Sequence, residues 1–140
     1  MGNEPSMLDS LITDKKQQLV DQWVSRLYDH PDSRYEPEDM PKLDELCSEG
    51  LEASLALIRG QDKPRLTEFV ENLYNMRGKW DLESADLLRF FWELRKSVEE
   101  LLTRGGDPGR PDWQSLHEEL DRCIEVGVIN LVQLIADNQD

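Results

Sequence analysis

An all-α domain of five helices is predicted for this chain, and three observations predict it. Apolar residues recur at spacings of three and four almost throughout, the period at which side chains share one face of a helix. No stretch keeps the strict alternation of a half-buried strand. Proline- and glycine-bearing segments such as DHPDSRYEPEDMP and TRGGDPGRPDW cut the pattern into pieces of helical length. At 140 residues the chain is expected to form one domain, long enough to bury a core without disulfides or metals, with residues 1–6 as a disordered N-terminus. Five helices joined by short loops pack as a bundle or in a globin-like way, and sequence leaves both open.

The first helix is expected over 7–28, with Leu8, Leu11, Ile12, Leu19, Trp23 and Leu27 along one side. It must end where His30 precedes a proline, because that neighbour disfavours helical backbone. The second, over 41–59, turns Leu43, Leu46, Cys47, Leu51, Leu55 and Ile58 inward, with Gly60 as its C-cap. Asp62 caps the third, which carries Pro64 in its first turn, where a missing amide costs nothing. Leu66, Phe69, Val70, Leu73 and Tyr74 face inward along it until Gly78. Asp81 is the expected N-cap of the fourth helix, which continues to Gly105 and Gly106.

The last helix is expected over 112–136. Trp113, His117, Leu120, Ile124, Gly127, Leu131 and Leu134 alternate spacings of four and three, a seam for another helix. Gly127 on that seam weakens the helix by about 1 kcal/mol relative to alanine, so a close helix crossing or a ligand is its expected reason.

Charge excludes several partners. A net charge of -14 repels phosphate backbones and anionic lipid surfaces, so neither nucleic acid nor membrane binding is expected. No apolar run approaches the roughly 20 residues of a membrane helix, and the N-terminus lacks an apolar signal region, so the expected location is the cytoplasm. The opening MGNEPS is a short, common pattern and is not read as a lipidation signal. Cys47 and Cys123 lack CxxC partners, which fits two free, inward thiols in a reducing compartment.

Constellations for chemistry are missing. A di-iron bundle needs Glu three residues before His, but Leu27 precedes His30 and Gln114 precedes His117. Two histidines and two unpaired cysteines make a zinc site improbable. Neither a GxSxG elbow nor a phosphate-binding glycine loop occurs. The expectation is no enzyme, no catalytic residue, no metal and no cofactor. His117 reads first as a core-edge histidine or a dimer contact, and second as a haem ligand in a globin-like pocket.

The stretch LRFFWELRK sits in the fourth helix. With Phe91 at the centre of its apolar face, Leu87, Leu88, Leu94, Val98, Leu101 and Leu102 share that side. Phe90 and Trp92 fall on the two shoulders, while Arg89, Glu93, Lys96 and Glu100 take the outer face. Arg95 lies about 40° from Phe91, inside the apolar arc, so it should find a carboxylate or a ligand anion.

The segment MRGKWDLESADLLRFFWELRKSVEELL resembles the N-terminal domain of RsbRD-type proteins, the RsbT co-antagonists of bacterial stress signalling. LITDKKQQLVDQWVSRLY, EGLEASLALIRG and LHEELDRCIEVGVINLVQLI are similar to other blocks of that family, with Trp23, Arg77, Ala85 and Arg95 at matching positions. The resemblance implies a sensory or regulatory module, globin-like without haem in stressosome relatives. With no STAS or kinase domain expected after Asp140, the resemblance implies a freestanding relative or an isolated sensing domain.

The expected function is therefore a non-enzymatic, cytoplasmic regulatory module acting through a protein partner, with homodimerisation as one mode and Trp92 and Trp113 as interaction candidates. The alternative is a small-ligand or haem sensor with His117, Arg95 and Arg77 near its pocket.

Overall fold

The computed structural model describes residues 6–31, 33, 35–60, 63–105 and 113–138. Across these residues it is all-helical, a five-helix bundle: α1 (Met7–Asp29), α2 (Met40–Gly60), α3 (Lys63–Asn75), α4 (Ser84–Gly105) and α5 (Trp113–Asp137), with one 3₁₀ turn, Pro37–Asp39, leading into α2. Asp62 and most of the loop between α4 and α5, including Gly106 and Asp112, lie outside the described residues.

Local chemistry sets the helix ends. Ser6, expected within the disordered N-terminus, instead caps α1, its hydroxyl accepting the Asp9 amide at 3.1 Å. His30, the residue before a proline, leaves the helix at φ -61 and ψ 139, as steric crowding by the following ring requires. Gly60 closes α2 as its last helical residue; it does not adopt the left-handed conformation of a C-cap glycine. The N-cap expected at Asp81 is corrected. Asp81 occupies a left-handed turn at φ 53, tolerable for a short polar residue, and α4 starts three residues later. There Glu83 offers its carbonyl to the Leu87 amide, while its own amide donates to Asp86 Oδ2 at 2.9 Å.

The core is organised around four aromatic rings. Trp23 of α1 meets Phe69 of α3 and Phe90 of α4, each at 6.4 Å between centroids, and Phe69 meets Phe91 edge-on at 6.2 Å. Trp23 Nε1 donates to the Phe90 carbonyl at 2.8 Å, which satisfies the buried indole and pins α1 to α4. Two glycines let the helices close on these rings. A Cβ at Gly50 would stand 2.9 Å from Trp23 Cη2, and one at Gly127 would overlap the Phe91 ring. The reason for Gly127 is thus a close helix crossing.

Most inward positions expected of α1, α2 and α3 are buried, with Leu11, Ile58 and Tyr74 only partly so. The seam of α5 is shifted at its start: the buried line is Leu116, Leu120, Cys123, Gly127 and Leu131, and His117 is only partly buried.

Two assignments on α4 change as well. Phe90 is fully buried instead of lying at a shoulder, and Glu93, expected on the outer face, is 5% exposed. Trp92, the opposite shoulder, is 56% exposed. The cause is that α4 has α1 on one flank and α5 beneath it, which leaves its third flank open. Arg26 of α1 answers Glu93 at 3.8 Å and also pairs with Glu100, which accepts the Gln22 amide at 2.8 Å. Removing one partner of such a buried pair would leave the other uncompensated.

Candidate interaction surface

The open flank of α4 meets α5 in a groove of about 380 Å³. Ala85, Leu88, Arg89, Phe91 and Trp92 line it from α4, and Ile124 and Val128 from α5. Phe91 lies against Gly127 and Arg95 against Asp121, so the two helices run antiparallel in fixed register. Past the groove on α5, Ile129 and Val132 are 56% and 51% exposed. With Trp92 these are the large apolar side chains left in water among the described residues. Single exposed hydrophobes are ordinary, whereas contiguous apolar patches are what contact surfaces have in common.

Charged side chains border the apolar strip. Lys96 Nζ stands 5.6 Å from the Trp92 ring centroid, a cation held at the ring. Arg89 pairs with Asp86 at 2.7 Å. Arg95, expected to need a carboxylate, has two: Glu99 one turn on at 3.1 Å, and Asp121 of α5 at 2.8 Å. About a third of its side chain stays in water, so it ties α4 to α5 at the rim and not from within the core.

Of the residues named for a ligand pocket, Arg95 stands at the rim of this groove and none lines it. Arg77 lies over the Tyr74 ring at 3.7 Å and donates to the Tyr74 carbonyl at 2.9 Å, which keeps it at the end of α3. Arg77, Arg95 and His117 are not among the groove's lining residues. Trp113 opens α5, and its side chain lies outside the described residues. The centre of the bundle is filled by the rings of Trp23, Phe69, Phe90 and Phe91, packed tilted or edge-to-face.

Nucleophiles and carboxylates elsewhere are held in structural roles. Both thiols are buried; burial pushes Cys47 well up, and burial together with Glu119 pushes Cys123 up to about 12. Such thiols stay protonated and unreactive. Tyr35 packs edge-on against Trp80 at 5.2 Å, and burial raises its hydroxyl pKa. The Arg59 guanidinium donates to both oxygens of Asp9, at 2.8 and 3.0 Å, and holds that carboxyl below its usual range. A second, wider groove of about 570 Å³ between α1 and α2 carries Asp21, Asp29 and Asp44 on its walls. Two of these are engaged locally, Asp21 by Gln17 at 2.9 Å and Asp29 by Ser25 at 3.2 Å. Among the described residues no group of three or more His, Cys, Asp and Glu side chains could hold a metal ion. Among them, too, no helix is long and apolar enough to cross a membrane.

Sequence reasoning found Trp92 but missed Ile129, Val132 and the groove wall at Leu88, Ile124 and Val128. A signal for them existed. In VGVINLVQLI, residues 126–135, apolar side chains occupy far more of the helix than one core-facing stripe needs. The surplus had to face a second surface.

Comparison of the chain with models of protein families, with curated proteins and with solved structures finds no match.

Proposed function

We propose that this chain is a non-enzymatic regulatory module of bacterial signalling, working in the cytoplasm by binding protein through the α4–α5 face. One observation carries the reading: Trp92 is exposed on the wall of a largely apolar groove, and Ile129 and Val132 are exposed further along α5, in a chain of net charge -14. Leaving that much apolar surface in water costs solubility, and covering it is favourable by about 25 cal/mol per Å². The resemblance to RsbRD-type N-terminal domains supports the same reading. Of the positions that carry it, Trp23 is the hub of the core, Arg95 bridges α4 to α5 and Ala85 lines the groove. Buried, protonated thiols and locally paired acids support a binding role over a catalytic one.

Affinity capture with the wild-type chain beside the Trp92→Ala/Val132→Glu variant tests this. Both replaced side chains are about half exposed, so the variant keeps its fold. The expected result is a discrete protein retained by the wild type and lost by the variant. An identical set of proteins on both columns would overturn the assignment to this face.

A further inference from the structure

We propose that Met7–Asp14 is a hinged strap, clipped to the end of α2 by Arg59, which opens as a unit about Lys15 while the rest of the bundle stays folded. The backbone supplies the hinge. Lys15 stands at φ -122 and ψ 22, outside helical geometry, so α1 is two helical pieces meeting at a kink. The surrounding sequence, LITDKKQQL, holds neither proline nor glycine, so no residue there enforces the break by its own covalent geometry. Helical turns cooperate through consecutive backbone hydrogen bonds, and a residue outside that geometry weakens the coupling between the turns before and after it.

Separate contacts hold the two pieces. Before the kink, Arg59 donates to both oxygens of Asp9, at 2.8 and 3.0 Å, and to Thr13 Oγ1 at 3.0 Å. After it, Lys16 pairs with Glu52 at 2.6 Å. The second piece also carries Trp23 with its bond to the Phe90 carbonyl, so the ring cluster at the centre of the core lies wholly outside the strap. The strap adds Leu8 and Ile12, which are fully buried, and Met7 and Leu11, which are partly so. Elements docked by so few contacts open at a lower free energy than the global transition.

Arg59 is the clip. Asp9 is 5% exposed, and without the guanidinium its carboxylate would keep only the Thr13 hydroxyl as a side-chain partner. Losing that cation destabilises the docked strap, whereas in the open strap Asp9 meets water and loses little. Opening turns Leu8 and Ile12 outward and bares the strip they cover, a surface apart from the α4–α5 groove, whose lining includes no strap residue.

Native-state hydrogen exchange, resolved by residue in zero to moderate urea, tests this. The amides of Ser10–Asp14 are expected to share one opening with a shallow urea dependence, because it uncovers little surface. Those of Leu19–Asp29 should exchange through a rarer opening with a steep dependence. Arg59→Met is expected to speed exchange over Ser10–Asp14 by about tenfold. Gly127→Ala, which disturbs the α4–α5 crossing outside the strap, should speed Leu19–Asp29 and leave Ser10–Asp14 unchanged. A Ser10–Asp14 segment that follows the urea dependence of Leu19–Asp29 overturns the inference, as does protection that falls smoothly toward the N-terminus with no step at Lys15. An Arg59→Met variant with wild-type exchange over Ser10–Asp14 overturns it too.

Discussion

Gly127→Ala sets two effects of opposite sign against each other. Helix propensity alone favours alanine by about 1 kcal/mol in a helix interior. The added Cβ, however, would overlap the edge of the Phe91 ring, with Phe91 Cζ 2.9 Å away. Phe91 is 3% exposed and packed edge-on against Phe69 at 6.2 Å, so its ring can move aside only toward the groove and by giving up that contact. Forcing a methyl into such a site costs about 1–3 kcal/mol, and here the upper half applies because the obstacle is a packed ring. The net expectation is destabilisation by about 1–2 kcal/mol, read by urea unfolding at fixed protein concentration, or a fall in Tm of about 4–8 °C. Phe91→Leu removes the obstacle, so the pair Gly127→Ala/Phe91→Leu should lose less than the sum of the two single losses by at least about 0.5 kcal/mol. A stabilised Gly127→Ala, or strict additivity, would refute the close-crossing account.

Two further outcomes follow from the titrating groups. Because Arg59 lowers the Asp9 pKa, the pair contributes stability above the unfolded value and loses it as pH falls through the folded one. The stability gap between wild type and Arg59→Met should therefore be constant above about pH 5 and close below about pH 4; a gap independent of pH counts against the pair. Cys47 and Cys123 should resist a thiol reagent in the native protein and react fully in denaturant, whereas rapid native labelling of either would contradict their burial.

Some of the α4–α5 face was legible in the chain and some was not. Trp92 falls at a shoulder of the α4 wheel, and Gly127 on the α5 seam implies a close approach. Neither shows which shoulder is covered, because a helical wheel supplies angles and not the number or direction of neighbours. Arg95 lies in the apolar arc and so implies a carboxylate partner, but Asp121 became that partner only when α5 was laid antiparallel to α4 at one register. His117 shows the converse. Its heptad position placed it on the seam, and a small rotation of α5 gave that place to Leu116, which is 1% exposed.

What the sequence by itself determined is the set of elements: five helices, their breaks at His30 and around Gly78, and the buried stripes of α1, α2 and α3. These follow from periodicity and backbone chemistry, which act within a turn or two of the chain. What the tertiary structure alone decided is which remaining surfaces were covered. Packing against α1 buried Phe90 and supplied Arg26 to Glu93, 67 residues away in sequence, while no described element reached Trp92. Burial of a shoulder residue depends on where other helices lie, and that information is spread over the whole chain rather than held in any one segment of it.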